Sequence, residues 1–152
     1  MNRSKAKGTN WESNVVKYLR AELDQPEIER RALHGSADMG DVYRIRAHGH
    51  DGIAECKDYK TFTDADLARW KSQTLAEREN SGAGFAMLVV HRRGKAARAD
   101  SPTFGQNVVW VTVGDLMRMA GLSQAHPMDA PWEDSEYVWV SVRLSDACAL
   151  MM

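Results

Sequence analysis

The sequence predicts an α/β protein in which helices flank a mixed sheet, in the order α-β-β-β-α-β with a C-terminal addition. Three observations predict it. Trp11, Val15, Val16, Leu19 and Leu23 recur at helical spacing. Residues 42–46 and 52–56 read as strands joined by the turn Ala47-His48-Gly49-His50-Asp51. Residues 85–91 carry a continuous apolar run, the pattern of a strand buried on both faces.

The first helix is expected to start near Thr9, because Thr9-Asn10-Trp11-Glu12 has the Thr-x-x-Glu form of a capping box. Pro26 breaks it, and residues 28–33 read as a strand. A polar loop over residues 34–40 delivers Asp41 to the hairpin. A second helix is capped at Thr63, with Asp64 and Asp66 in a first turn that suits the helix dipole. It runs to about Asn80 and stops at Ser81-Gly82. After the buried strand comes a basic loop over residues 91–98, then a strand over 107–113. Residues 114–120 read as a short helix with Leu116, Met117 and Ala120 inward. The Pro-containing, acidic stretch 123–135 reads as irregular, and the alternation over 137–144 as a last strand.

A chain of 152 residues is expected to form one domain, with a core at about 8–113 and an extension at 114–152. With 43% hydrophobic and 27% charged residues, the composition is that of a globular protein. The basic N-terminus has no apolar stretch after it, and the longest apolar run is too short to span a bilayer. Two cysteines, Cys56 and Cys148, give no disulfide framework. These features predict a cytoplasmic protein of a bacterium or a phage-infected cell, with no membrane partner. Net charge is −1, yet residues 1–98 hold 18 Lys and Arg against 14 Asp and Glu, and residues 99–152 hold 2 against 7. A basic body with an acidic tail can still present a cationic face to DNA, since phosphate contacts depend on local charge.

The chemistry concentrates at Gly40-Asp41-Val42 and Glu55-Cys56-Lys57. Antiparallel pairing about a turn centred near Gly49 sets Asp41 opposite Lys57 and diagonal to Glu55. The strand period of two puts Ile53, Glu55 and Lys57 on one face, and Ala54 and Cys56 on the other. Magnesium is typically held by one or two carboxylates plus substrate phosphate. Asp41 and Glu55 supply the carboxylates and the Cys56 carbonyl a third oxygen, with Lys57 placed to stabilise charge on a phosphodiester. The competing reading is a surface salt bridge within a hairpin. Glu12 heads the apolar stripe of the first helix and so points towards the sheet, unless it folds back to the Thr9 amide as a capping box.

Together Glu12, Ser36 in a Gly/Ser loop, Gly40-Asp41-Val42 and Glu55-Cys56-Lys57 resemble the PD-(D/E)XK nuclease superfamily. More narrowly they resemble its archaeal-type Holliday-junction resolvase branch, including resolvase-like proteins of phages. The resemblance covers about residues 8–93, and residues 99–152 lie beyond it. It implies a restriction-endonuclease-like core, Mg²⁺ or Mn²⁺ as cofactor, and cleavage of DNA, foremost four-way junctions. Linear, nicked or flapped DNA, or a non-catalytic DNA-binding module, are the alternatives. Glu12, Asp41 and Glu55 would be the metal-associated acids, Lys57 the catalytic lysine, and Ser36 the loop serine near the scissile phosphate. Gly40 stands where the superfamily name implies proline, and Asp38 rivals Asp41.

Arg30, Arg31, Arg44, Arg46, Lys60 and the loop residues Arg92, Arg93, Lys95 and Arg98 are candidates for phosphate contact, and Lys5 and Lys7 for a flexible arm on the backbone. Gln73 reads as structural, with a metal-proximal role the weaker alternative. Trp70 reads as core or dimer packing. The five histidines show no zinc spacing, and no Walker motif or G-x-G-x-x-G is present, so no nucleotide cofactor is expected. Paired cleavage of two strands needs two active sites, which predicts a homodimer.

Overall fold

The computed structural model describes residues 3–32, 39–129 and 134–152. It is an α/β fold built on one six-stranded mixed sheet whose spatial order follows the chain. The elements are α1 (Arg3–Leu23), β1 (Glu29–Arg30), β2 (Val42–Ala47), β3 (His50–Lys57), α2 (Asp64–Ser81) and β4 (Phe85–Val90), followed by β5 (Val108–Thr112), α3 (Val113–Met119), β6 (Trp139–Arg143) and α4 (Leu144–Met151). Among the described residues only the β3–β4 pair is parallel, because α2 carries the chain back across the sheet between them.

The sheet separates two apolar layers. On one face, Trp11, Val15 and Leu19 of α1 and Leu144, Ala147 and Cys148 of α4 pack on Ala54, Cys56, Met87 and Val89. On the other, Trp70 of α2 covers Leu88 and Val90. β4 is buried along its whole length, as its unbroken apolar run predicts. α2 begins and ends where its sequence says. The Thr63 hydroxyl accepts from the Asp66 amide, the Asp66 carboxylate accepts from the Thr63 amide, and Gly82 closes the helix at φ 71°.

Several expectations are corrected. α1 starts at Arg3, two turns before Thr9, so Lys7 belongs to a helix rather than to a flexible arm. The helix runs through Gly8 and Thr9, so the Thr9-Glu12 capping box is not used. Within the described residues β1 pairs over Glu29–Arg30, with Ile28 buried in the core ahead of it; the expected strand over 28–33 ends at Leu33, which lies outside the described residues. In α3 Asp115, Arg118 and Met119 are buried and Leu116 packs against the core as expected, whereas Met117 is exposed. The last strand ends at Arg143, and Leu144 opens α4, a helix absent from the expected order. Alternation over 137–144 masked the point at which a helical stripe of Leu144, Ala147, Cys148 and Met151 takes over.

The hairpin register also differs. Its turn is two residues long, His48 at φ 48° and Gly49 at φ 88°, so Ala47 pairs with His50. A bulge then interrupts β2 between Val42 and Ile45, with Arg44 at φ 64°. Val42 therefore faces Ala54. Asp41 lies at the level of Ala54–Cys56 rather than opposite Lys57, and its amide donates to the Ala54 carbonyl at 3.0 Å.

The C-terminal segment continues the same sheet and core. Three of its charges are tied inside the protein with one from α2: Arg118 and Arg78 both contact Asp115 and Glu136, at 2.5–3.1 Å. Asp115 also accepts from the Ala86 amide. Leaving any of these groups unpaired in the interior would be costly, and the network fixes α2, α3 and the turn Asp134–Glu136 relative to one another. No helix is long and apolar enough to cross a membrane, among the described residues.

Candidate functional site

The strand ends of β2 and β3 and the start of α1 enclose a cleft of about 380 Å³ lined by Glu12, Asp41, Glu55, Cys56, Lys57 and Lys60, together with Lys7, Asp58 and Tyr59. Asp41 enters it because the bulge lowers its level on β3. The Cys56 amide then donates to Asp41 Oδ2 at 2.8 Å and holds the carboxylate in place. Gly40, at φ 92°, makes the turn into Asp41.

Glu55 and Lys57 share a face of β3, as the period of two requires, and meet at 2.8 Å. Neither lies on the open surface: their side chains are 4% and 15% exposed. This removes the reading as a solvated hairpin salt bridge. Gln73 of α2 joins them, donating to Glu55 Oε1 at 3.3 Å and accepting from Lys57 Nζ at 3.2 Å. The structure thus gives Gln73 a place at the site, where its sequence context suggested a structural role. Glu55 Oε2 is buried and meets no hydrogen-bond donor.

Burial and like charge set the electrostatics. Burial, then the Glu55 charge, pushes Asp41 up to about 7. Burial, then the charge of Glu77, pushes Glu55 up to about 8. Glu77 is itself buried on α2, and the sequence reading passed over it. Its signal was the stripe Trp70, Thr74, Glu77, whose spacing of four and three marks the inward face of that helix. Glu12 is raised in the same direction, by burial and by Asp41, against the pull of Arg30. For Lys57, burial acts to lower the value, but Glu55 and Asp41 outweigh it and hold the ammonium above its ordinary range.

Glu12 lines the cleft and its carboxylate lies 3.4 Å from Arg30, not back on the Thr9 amide. Ser36 and its neighbour Asp38 fall outside the described residues. Among the described residues, no three His, Cys, Asp or Glu side chains stand in metal-ligating geometry. The acids that converge are Asp41 and Glu55, with Glu12 on the facing wall.

The basic candidates divide into two groups. Lys60 is exposed on the cleft rim. Arg92 and Arg93 are exposed just after β4, and Lys95 is half-buried. Their loop is tied to the cleft wall through His91, whose Nδ1 lies 2.7 Å from Asp58 and whose Nε2 lies 2.7 Å from the Lys95 carbonyl. Trp11 stacks on that imidazole at 4.8 Å. Arg31 and Arg44 instead flank the Tyr43 ring, at 4.2 and 5.2 Å, in a separate cleft beside β2. Arg44 also pairs with Glu29 at 2.7 Å, so it is engaged within the protein. His48, His50 and His126 each contact a backbone carbonyl, those of Leu150, Ser123 and Gly82. Both cysteines are free and buried.

No family model, curated protein or solved structure gives a significant match to the chain.

Proposed function

We propose that the protein is a divalent-metal-dependent endodeoxyribonuclease of PD-(D/E)XK type, with a restriction-endonuclease-like core, acting foremost on four-way DNA junctions. The observation that carries the reading is the Asp41–Glu55 pair. Two neighbouring carboxyls, both pushed far above their ordinary values by burial and like charge, lie in an open cleft beside a lysine. Such a pair is relieved by protons or by a cation. The donor set fits Mg²⁺ or Mn²⁺: two carboxylates, the Cys56 carbonyl, the Glu55 oxygen that meets no donor, and room for water and a phosphate. When bound, the ion would neutralise charge on the phosphodiester and acidify water.

The residues around it have separable tasks. Asp41 and Glu55 hold the ion, and the Cys56 amide keeps Asp41 from swinging away. Lys57, oriented by Glu55 and Gln73, offers its ammonium to phosphate oxygens at the cleft. Glu12 adds a third acid on the opposite wall, restrained by Arg30. Lys60 and the loop bearing Arg92, Arg93 and Lys95 supply backbone contacts that position DNA without reading its sequence. Resolving a junction requires two such sites, so the reading includes a homodimer.

A substrate panel tests it. The protein is incubated with Mg²⁺ or Mn²⁺ and a four-way junction, a flap, a nicked duplex and a linear duplex. The expected result is paired nicks in the junction that vanish in Glu55→Ala and Lys57→Ala. Undiminished cutting by both variants sinks the site assignment. Cutting confined to the flap, nicked or linear DNA replaces the junction substrate, and metal-independent binding with no cutting of any DNA would leave a binding module.

A further inference from the structure

The loop over residues 58–63, between β3 and α2, carries two aromatic rings that the metal and phosphate groups do not use. Tyr59 is 54% exposed and Phe62 41%. Both rest on Trp70, which is only 4% exposed, with ring centroids 5.1 and 5.0 Å away. Trp70 is in turn packed on Leu88 and Val90, so the exposed rings stand on the sheet itself. Single exposed aromatics are ordinary on protein surfaces. These two share the Trp70 ring as a rigid support, and Tyr59 lines the cleft alongside Asp41 and Glu55. Lys57 Nζ lies 6.0 Å from the Trp70 ring centroid, so the cationic and aromatic parts adjoin.

Cationic groups that track a phosphate backbone next to rings that take a base are the two halves of a single-strand binding surface. We propose that Tyr59 and Phe62 form a stacking platform for an unpaired nucleobase next to the phosphate in the cleft. Inside a duplex both faces of a base are covered by its neighbours, so the platform selects DNA that is open beside the cleavage point. Branch points, flaps and single-stranded tails have that property. The cleft lining is charged throughout, with Lys7, Lys57 and Lys60 among Glu12, Asp41, Glu55 and Asp58, so it would oppose an apolar protein partner, and the exposed Lys60 is placed for a phosphate. The inference rests on the nuclease reading for the presence of DNA, but its own test needs no cleavage.

Binding of the full chain to fluorescein-labelled oligothymidine, and to a blunt duplex of equal length, is measured by anisotropy in EDTA. Tyr59→Ala and Phe62→Ala should each weaken oligothymidine binding about tenfold and leave duplex binding within about twofold. Tyr59→Leu keeps an apolar cover on Trp70 and should show the same loss, whereas Tyr59→Phe should keep wild-type affinity. Unchanged oligothymidine binding in the alanine variants, equal losses on both probes, or a loss shared by Tyr59→Phe would overturn the proposal. So would a Tyr59→Ala variant that changes only self-association in sedimentation, which would assign the rings to a second copy of the chain. Absence of metal-dependent cleavage with the stacking effect intact would remove the nuclease reading and leave the platform standing.

Discussion

Replacing Glu55 by glutamine should make the metal-free protein more stable, and more so as the pH rises. The residue is 3% exposed, and its carboxyl stands at about 8 against an ordinary 4.5. An acid whose folded value is raised holds its proton more tightly in the folded chain than in the unfolded one. Folding is therefore penalised in full above pH 8, the penalty shrinks as pH falls from about 8, and it is gone below about 4.5. At ~1.4 kcal/mol per pH unit, the shift corresponds to roughly 3–5 kcal/mol at pH 9. Glutamine keeps the volume and the contact with Gln73, carries no charge, and leaves Lys57 the Asp41 carboxylate as counter-ion. For a domain of this size, roughly 2–4 °C per kcal/mol applies, so Glu55→Gln should melt on the order of 6–20 °C above wild type at pH 9. The gap should narrow steadily towards pH 5. Thermal melts followed by circular dichroism in EDTA across that range measure it. A variant that melts at or below wild type at pH 9, or a gap that does not change with pH, would refute the assignment of Glu55 as a strained buried acid.

The same electrostatics make metal binding proton-linked: with Asp41 at about 7 and Glu55 at about 8, Mg²⁺ should displace protons near neutral pH and bind more tightly as pH rises through that window. Calorimetric titrations in buffers of different ionisation enthalpy would report the release, and Asp41→Asn should reduce it. In the buried network, Arg118→Met removes a guanidinium held by Asp115 and Glu136 and should cost about 3–5 kcal/mol in urea denaturation, because Arg78 is then left to balance two buried acids. At the β2 bulge, Arg44→Gly should be neutral or stabilising by up to about 1 kcal/mol, since φ 64° suits glycine and the lost ion pair with Glu29 is largely exposed. Arg44→Val at the same position should destabilise by about 1–3 kcal/mol, and a valine variant as stable as the glycine one would remove the argument from backbone strain.

Much of the architecture is legible in the residues themselves. The box Thr63–Asp66 and the stop at Gly82 mark α2, and six apolar residues in a row mark β4, because helix caps and two-sided burial leave local signatures. The alternation that puts Glu55 and Lys57 on one face is equally local. Asp41's partner is less legible. A two-residue turn and a one-residue bulge move it from Lys57 to the level of Ala54–Cys56, and each is a backbone choice of small energy that the residue pattern leaves open. Gln73 and Glu77 reach the site through the rotation of α2 about its axis, which is settled by Trp70 seating on Leu88 and Val90. Asp115 and Arg118 are buried on α3 beside Met119 because Arg78 and Glu136, 37 and 18 residues away, complete their charges.

The sequence by itself determined the order of the elements through α3, though not α4, and the acids and lysine that gather at the ends of β2 and β3, since periodicity and caps act over a few residues. Only the tertiary structure decided the level of Asp41, the presence of Gln73 and Glu77 beside Glu55, and the exposed rings propped on Trp70. Those depend on how separate segments pack, and burial among distant neighbours sets both the contacts and the charge states on which the site rests.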